Sequence, residues 1–180
     1  MYAHIRSDGV THSLNSHLEG TALLAEKLGK KIGINNIMFL TGLLHDIGKA
    51  SSIFQEYLYK AFNDQKSVRR GEVNHSSAGG KYIFDDYYKN DKIQKLTALL
   101  ISTAIFSHHG QFDIISPNGE NIFNNRLFPK KEIEYKEVIK YAEKLRKEFN
   151  LEEYFNNAYK ECSNIFSKIY EISRLMDNRK

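Results

Sequence analysis

Over most of this chain, apolar residues recur at intervals of three and four positions, the spacing that places side chains on one face of an α-helix. The pattern is clearest at residues 14–28, 36–47, 135–149 and 151–176. Three further helices are predicted at residues 50–62, 75–87 and 93–108. No segment shows the alternation of apolar and polar residues that is typical of a strand. The sequence therefore predicts an all-α bundle of about six or seven helices.

The length of the chain and its two irregular segments indicate a single domain. A chain of 180 residues can bury about two-thirds of its unfolded surface, so one domain over residues 1–180 is expected. Residues 63–74 are polar and are predicted to be a loop, as are residues 111–128, which contain turn-forming asparagine, glycine and proline. The second segment is long, and it is interpreted either as a flap over a functional site or as a simple connection.

The pair His45-Asp46 lies at the end of the apolar stretch 36–47. Burying an imidazole and a carboxylate there is costly unless a ligand or a partner satisfies them. Four more histidines lie on or beside apolar helical patterns, namely His17, His75, His108 and His109. A single histidine in such a place is usually a core residue with a hydrogen-bond partner. Five of them together with one aspartate indicate a shared metal site in a helical core.

These six candidate ligands exceed the four that a structural zinc ion uses. Nitrogen and carboxylate ligands suit first-row transition ions such as Mn, Ni, Co, Fe or Zn, with Mg as a less suitable alternative because it prefers oxygen. The economical interpretation is two divalent ions bridged by Asp46. The single cysteine, Cys162, excludes a Cys-rich zinc site and an intramolecular disulfide. The two remaining histidines, His4 and His12, are interpreted as surface residues.

Charge and hydropathy say little about partners. The chain carries 26 basic and 22 acidic side chains, and the resulting net charge of +4 is compatible with a polyanionic partner but equally common without one. The longest apolar run, at residues 98–106, is too short to cross a bilayer, and the N-terminus lacks the pattern of a signal peptide. These features predict a cytoplasmic protein with no membrane association.

The histidines belong to four short motifs, at residues 13–18, 45–51 with 54–58, 74–79 and 105–110. In this order the motifs resemble the HD nuclease of type I CRISPR interference, the nuclease half of a helicase–nuclease effector in the HD phosphohydrolase superfamily. A bare His-Asp pair is a weak signal, whereas the set with its Gly48-Lys49 and Phe54-Gln55 extension is specific. The resemblance covers residues 14–110, and it implies an HD-domain helical bundle with a buried metal site.

The resemblance also implies a division of the ligands between two ions. One ion is held by His17, His45 and Asp46, and the other by Asp46, His75, His108 and His109. The family completes the first ion with an aspartate near its C-terminal end, for which Asp177 is the only late candidate here; alternatively, these 180 residues end before that ligand. Asp46 and Lys49 are the expected catalytic residues, with Lys49 placing its ammonium beside the phosphate.

By resemblance, the expected activity is metal-dependent endo- or exonucleolytic cleavage of single-stranded DNA, with RNA as a second substrate, in antiviral defence. The expected partners are a separate helicase subunit and a crRNA-guided surveillance complex. The sequence contains no Walker loop, so ATP-driven unwinding would come from another chain or from a region outside these residues. Two alternatives remain open, namely an HD phosphohydrolase acting on nucleotides or cyclic nucleotides, and a non-catalytic metal-binding HD module with a regulatory role.

Contacts with nucleic acid are predicted from basic and aromatic residues. The basic candidates are Lys60, Lys66, Arg69 and Arg70, which could follow a phosphate backbone, although a short basic loop is more often simply solvated. The aromatic candidates for stacking on bases are Tyr57, Tyr59, Phe112 and Phe123. Of these, Tyr57 has the helical spacing of a core residue.

Overall fold

The computed structural model describes residues 1–64, 68–69, 71–128 and 135–177, and the side chain of Asp177 lies outside this description. The described residues form eight α-helices: α1 (Leu14–Gly29), α2 (Asn35–Leu44), α3 (Ser52–Asn63), α4 (Ala78–Tyr87), α5 (Lys92–Phe106), α6 (Phe123–Leu127), α7 (Tyr135–Glu148) and α8 (Leu151–Asp177). The mostly helical fold is confirmed. The helix beyond the expected number is α6, which has five residues and lies in the segment predicted to be a loop.

The N-terminal residues form an antiparallel hairpin of β1 (Tyr2–Ile5) and β2 (Thr11–Ser13). The prediction that the chain contains no strand is therefore wrong at this end. The two strands have four and three residues, and Ala3 is their only buried side chain, so an alternating pattern has no room to appear. Gly9 lies in the connecting turn with φ of 82°, a value that glycine adopts without strain.

Helix α2 lies at the centre of the core, packed against α1, α5 and α8. Its side chains Phe39, Leu40 and Leu43 are fully buried, because apolar residues cover nearly its whole circumference. The ring of Phe39 stacks on Tyr154 of α8 at 3.8 Å between centroids. Among the described residues, no helix is both long and apolar enough to cross a membrane.

Helix α2 ends at Leu44, three residues before the end of the predicted stretch 36–47, so His45 and Asp46 lie just beyond the helix. The chain then enters a 3₁₀ turn at Ile47–Ala50. Gly48 in this turn makes a close contact, because a Cβ at this position would overlap the backbone carbonyl of His75. The turn and the segment that carries His75 are thereby held together.

The pair His108-His109 lies at the end of a helix, as the pair His45-Asp46 does. Helix α5 ends at Phe106, and His108 and His109 lie in the turn that follows it. Both pairs are thus carried by irregular backbone at the end of a buried helix, where successive side chains can point toward one centre. The fold therefore brings the ends of α2 and α5 together with the start of α4 and one face of α1.

Candidate metal centre

Six of the seven predicted ligands lie around the carboxylate of Asp46, and the side chain of the seventh, Asp177, is outside the described residues. They form two groups whose ligand atoms lie within 4.8 Å of one another, with Asp46 in both. The first group is His17, His45 and Asp46, and the second is Asp46, His75, His108 and His109. This division matches the one that the resemblance implies.

The two oxygens of Asp46 face different groups. Oδ2 lies 3.1 Å from His17 Nε2 and 3.2 Å from His45 Nε2. Oδ1 lies 3.4 Å from His75 Nε2 and 3.5 Å from His108 Nε2. His109 Nε2 lies 3.3 Å from His75 Nε2 and completes the second group. One carboxylate facing two sets of imidazoles is the arrangement expected of a ligand that bridges two ions.

Backbone carbonyls fix the orientation of three of the rings. His45 Nδ1 donates to the carbonyl of Gly42 at 2.8 Å, and His108 Nδ1 donates to that of Ile105 at 2.6 Å. His75 Nδ1 is 3.4 Å from the carbonyl of its second preceding residue, Val73. Each bond directs Nε2 toward Asp46, and such outer contacts are typical of metal-binding histidines because they fix the tautomer and the ring orientation.

Within the described part of the chain, two buried atoms of the centre have no hydrogen-bond partner, namely Asp46 Oδ1 and His108 Nε2. Leaving a buried polar atom unpaired costs about 1–3 kcal/mol, and more for a charged group. The two atoms face each other at 3.5 Å, so a single divalent cation between them would satisfy both. The donor set therefore fits a metal ion on the side of the second group.

The acid–base properties of the site favour cation binding. Burial lowers the pKa of His75 to about 4, so its ring is neutral at pH 7 and keeps a lone pair for a ligand bond. Burial lowers the pKa of His109 as well. For Asp46, burial raises the pKa, but interactions with the surrounding imidazoles, chiefly that of His108, outweigh it and hold the pKa well below its ordinary value. The carboxylate thus stays ionised.

Lys49 is buried beside Asp46 and away from solvent. Its Nζ lies 2.9 Å from Asp46 Oδ2 and donates to the carbonyl of Ala3 at 3.3 Å. The ammonium also lies 5.7 Å from the ring centroid of Phe54. In this position Lys49 balances the charge of Asp46 and ties the N-terminal hairpin to the centre. Its predicted contact with a phosphate remains a prediction.

The hairpin histidines, His4 and His12, are exposed, as the sequence indicated, but they border the metal centre. The ring of His4 lies 5.1 Å from that of His17, and the ring of His12 lies 5.6 Å from it. Burial lowers the pKa of His4. This placement leaves no signal in the sequence, because it depends on the pairing of β1 with β2, where His4 lies opposite His12.

A cavity of about 450 Å³ opens beside the second group of ligands, and its lining includes Asn74, His75, Ser76, His109, Asp113 and Arg126. Arg126 forms an ion pair with Asp113, and its Nη1 donates to Ser76 Oγ at 3.2 Å. The segment at residues 111–128 therefore forms one wall of the site. No local sequence signal identifies Arg126, because its partner Ser76 lies 50 residues earlier.

The predicted nucleic-acid contacts have a mixed outcome. Lys60 and Arg69 are exposed but are not among the residues that line the cavity, while Lys66 and Arg70 lie outside the described residues. Among the aromatic candidates, Phe112 is 71% exposed and free to contact a ligand. Phe123 instead packs on Phe106 at 5.0 Å between ring centroids, and Tyr57 is half-buried and is not the core residue that its helical spacing indicated. Tyr59 makes an edge contact with Tyr2.

Comparison with known proteins agrees with this geometry. The model of the HD-domain family matches residues 14–148, which is 135 of the 180 residues and includes all five histidines around Asp46. No curated protein and no solved structure matches the chain. HD domains are characterised by a His-Asp metal centre in a helical bundle, and the described residues form a mostly helical fold with a cluster of histidines and one aspartate that could hold a metal ion. The chain belongs to the HD-domain family, within the superfamily of metal-dependent phosphohydrolases.

Proposed function

We propose that this protein is a metal-dependent nuclease that hydrolyses phosphodiester bonds of single-stranded DNA, and of RNA as a second substrate. The observation that carries the proposal is the position of Asp46 between two groups of histidines. A pair of ions that shares one carboxylate can contact both the attacking and the leaving oxygen of a phosphodiester, which is the recurring design of two-metal nucleases. When bound, such ions would polarise the phosphate oxygens and lower the pKa of a water molecule.

The residues of the chain have distinct tasks in this proposal. Asp46 joins the two groups, and the backbone bonds of His45 and His108 hold their rings in position before substrate arrives. Lys49 holds Asp46 through the 2.9 Å contact with Oδ2. Preorganised ligands of this kind cost no rearrangement during the reaction, which is why they contribute to transition-state stabilisation.

The cavity beside His75 and His109 supports a substrate that extends from the second ion toward Arg126. Its volume of about 450 Å³ falls in the range of small-molecule sites and suits one nucleotide unit. Arg126 is held by Asp113 and Ser76, so it gives this wall of the cavity a fixed shape. We infer that the nucleotide next to the scissile phosphate lies here.

The biological setting that we propose follows from the motif resemblance. A nuclease of this kind would act in CRISPR interference, together with a separate helicase subunit and a crRNA-guided surveillance complex. The helicase would provide single-stranded DNA, and the HD nuclease would cut it. Binding of the purified chain to such a helicase, measured by analytical ultracentrifugation, tests this part of the proposal separately from the chemistry.

The size of the cavity also favours a second candidate function, the hydrolysis of a mononucleotide or a cyclic nucleotide. A single nucleotide would fill a space of about 450 Å³ without any need for a longer strand. Basic residues that follow a backbone would then have no role, and Lys60 and Arg69 do lie away from the cavity lining. A regulatory HD module without catalysis would show neither activity.

The test is a substrate panel with metal-stripped protein. Labelled single-stranded DNA, single-stranded RNA, deoxynucleotides and cyclic nucleotides are each incubated with manganese, nickel, cobalt or magnesium added separately. The proposal predicts cleavage of the DNA with a transition ion. The control is Asp46→Ala, which should lose all cleavage at matched protein concentration, so that a contaminating nuclease is recognised.

Consumption of nucleotides without any cutting of DNA would replace the nuclease by the second candidate. Absence of all hydrolysis, in a protein that binds two metal ions, would favour the regulatory module. A substitution in the cavity tests the proposed position of the DNA. Arg126→Gln should raise KM for DNA more than it lowers kcat, because Arg126 lines the cavity and lies outside both ligand groups.

A further inference from the structure

The two ligand groups around Asp46 differ in the number of protein ligands. Among the residues that the structure describes, the second group offers four ligand atoms, whereas the first offers three, from His17, His45 and Asp46. A site with three protein ligands holds a metal ion with open positions for water and substrate. The first group therefore has room for one more protein ligand.

The N-terminal hairpin is fixed next to this open side. Gln55 of α3 donates from Nε2 to the carbonyl of Tyr2 at 2.9 Å and accepts from its backbone N–H at 2.9 Å. The ammonium of Lys49 bonds the carbonyl of Ala3, which is itself buried. The two residues before His4 are therefore fixed by hydrogen bonds, Tyr2 by Gln55 and Ala3 by Lys49.

The ring of His4 has the spacing of a co-ligand. With metal–nitrogen distances of about 2.1 Å, two imidazoles on one ion have ring centres roughly 5 Å apart. Two ring pairs within the groups show this spacing, with 5.1 Å for His17 and His45 and 5.4 Å for His75 and His109, while the adjacent rings of His108 and His109 lie closer, at 4.0 Å. The separation of His4 from His17 is also 5.1 Å.

We propose that His4 is the fourth protein ligand of the ion at His17, His45 and Asp46. Its nitrogen atoms do not lie within the 4.8 Å that groups the other three ligands, so the ring turns toward the ion when it binds. The side chain is exposed, and its recorded ring contacts are with His12 and His17. The inference rests on the metal binding of the proposed function and not on its substrate.

His12 provides the matched control on the opposite strand. It is exposed like His4, but its ring is 5.6 Å from that of His17 and 6.4 Å from that of His4. His12 also lacks the anchoring that Gln55 and Lys49 give to β1. Removal of either imidazole changes the same chemistry on the same hairpin, so a difference between the two variants reports ligation and not the loss of a surface histidine.

The experiment is a titration of metal-stripped protein with Co²⁺, followed by calorimetry and by visible absorption. We expect His4→Ala to weaken the first-group ion at least tenfold, as loss of a contact to a metal site does, while the second-group ion is unchanged. The visible absorption bands of Co²⁺ should change in the same direction in His4→Ala as in His17→Ala. In the cobalt-loaded protein, proton NMR should show one paramagnetically shifted ring N–H fewer in His4→Ala and the normal set in His12→Ala.

A His4→Ala protein with the isotherm and the shifted N–H signals of the wild type would overturn the inference. Weakening of the same ion by Asp177→Asn alone would also overturn it, because the fourth ligand would then be that aspartate. Circular dichroism of each variant checks the fold, and His4→Gln is the second variant if His4→Ala unfolds. The proposed nuclease function fails on a different result, the absence of DNA cleavage by fully loaded wild-type protein.

Discussion

The carboxylate of Asp46 is nearly closed to solvent, with 6% of its side chain exposed. Burying an ion of this kind costs several kcal/mol unless positive charge lies close to it. Lys49 supplies such a charge at Oδ2, but Oδ1 has no hydrogen-bond partner. We therefore expect the ion at His75, His108 and His109 to bind more tightly than the ion at His17, since it meets the larger unsatisfied charge.

His75 makes the stability of the metal-stripped protein depend on pH. Its pKa is about 4 in the fold against 6.5 as the ordinary value, so between these values the unfolded chain binds more protons and stability falls as pH falls. The loss of stability reaches about 3 kcal/mol below pH 4, and no stability is lost to this group above pH 6.5. Burial lowers the pKa of His109 and of His4, which adds in the same direction.

Urea unfolding of the metal-stripped protein at a series of pH values from 7.5 to 4 measures this dependence. His75→Gln, which cannot be protonated, should show a flatter curve than the wild type over the same interval. An unchanged slope in that variant would mean that the imidazole of His75 is not buried in its neutral form.

At the scale of elements, the metal centre depends on how closely two backbone segments approach each other. The end of α2 and the turn after it pack against the start of α4 and the segment before it. This packing includes two close backbone contacts, and each of them involves a glycine. A Cβ on Gly48 would overlap the carbonyl of His75, and a Cβ on Gly79 would overlap the carbonyl of Leu44. These glycines allow the His45-Asp46 pair and His75 to share one site.

Gly48→Ala should therefore destabilise the protein by about 2–3 kcal/mol, the usual cost of forcing extra volume into a packed interior. It should also weaken binding of the ion that His75 holds, because the backbone must move apart. Chemical denaturation and a metal titration measure the two effects. The matched control is Gly20→Ala in α1, where a Cβ meets no atom within 4 Å and the helix should gain roughly 0.5–1 kcal/mol. Equal behaviour of the two variants would contradict the role assigned to Gly48.

Helix α2 is held at its other end by α8. The carboxylate of Glu161 accepts hydrogen bonds from the backbone N–H groups of Asn36, at 2.9 Å, and Ile37, at 3.0 Å. The residue before the helix, Ile34, has no side chain that could cap it. A negative charge at a helix N-terminus also interacts favourably with the helix dipole.

Glu161→Ala should cost about 1–2 kcal/mol of unfolding free energy, the usual cost of losing a helix cap. Urea unfolding measures it, with Glu171→Ala as the control on the exposed part of the same helix. Similar changes in stability in both variants would contradict the role of Glu161 at the start of α2.

For the molecule as a whole, features that depend on residues near one another in the sequence can be predicted, and contacts between distant residues cannot. The helices and the set of histidines could be predicted, because apolar spacing and short motifs such as His45-Asp46 are local. Hydrogen bonds between distant residues leave no local pattern: Glu161 and Asn36 are 125 residues apart, and Ser76 and Arg126 are 50 residues apart. The hairpin was missed for another reason, since strands of three and four residues with one buried side chain leave no pattern.

At the scale of the whole molecule, four separate segments bring the ligands together at Asp46, and we propose that they hold two ions. The most direct test is the number of Mn²⁺ ions that the metal-stripped chain binds in equilibrium dialysis, with free Mn²⁺ measured by electron paramagnetic resonance. We expect two ions per wild-type chain. In Asp46→Ala, tight binding should be lost at both sites while the helical circular dichroism is retained. Two tightly bound ions in Asp46→Ala, or only one in the wild type, would contradict this proposal.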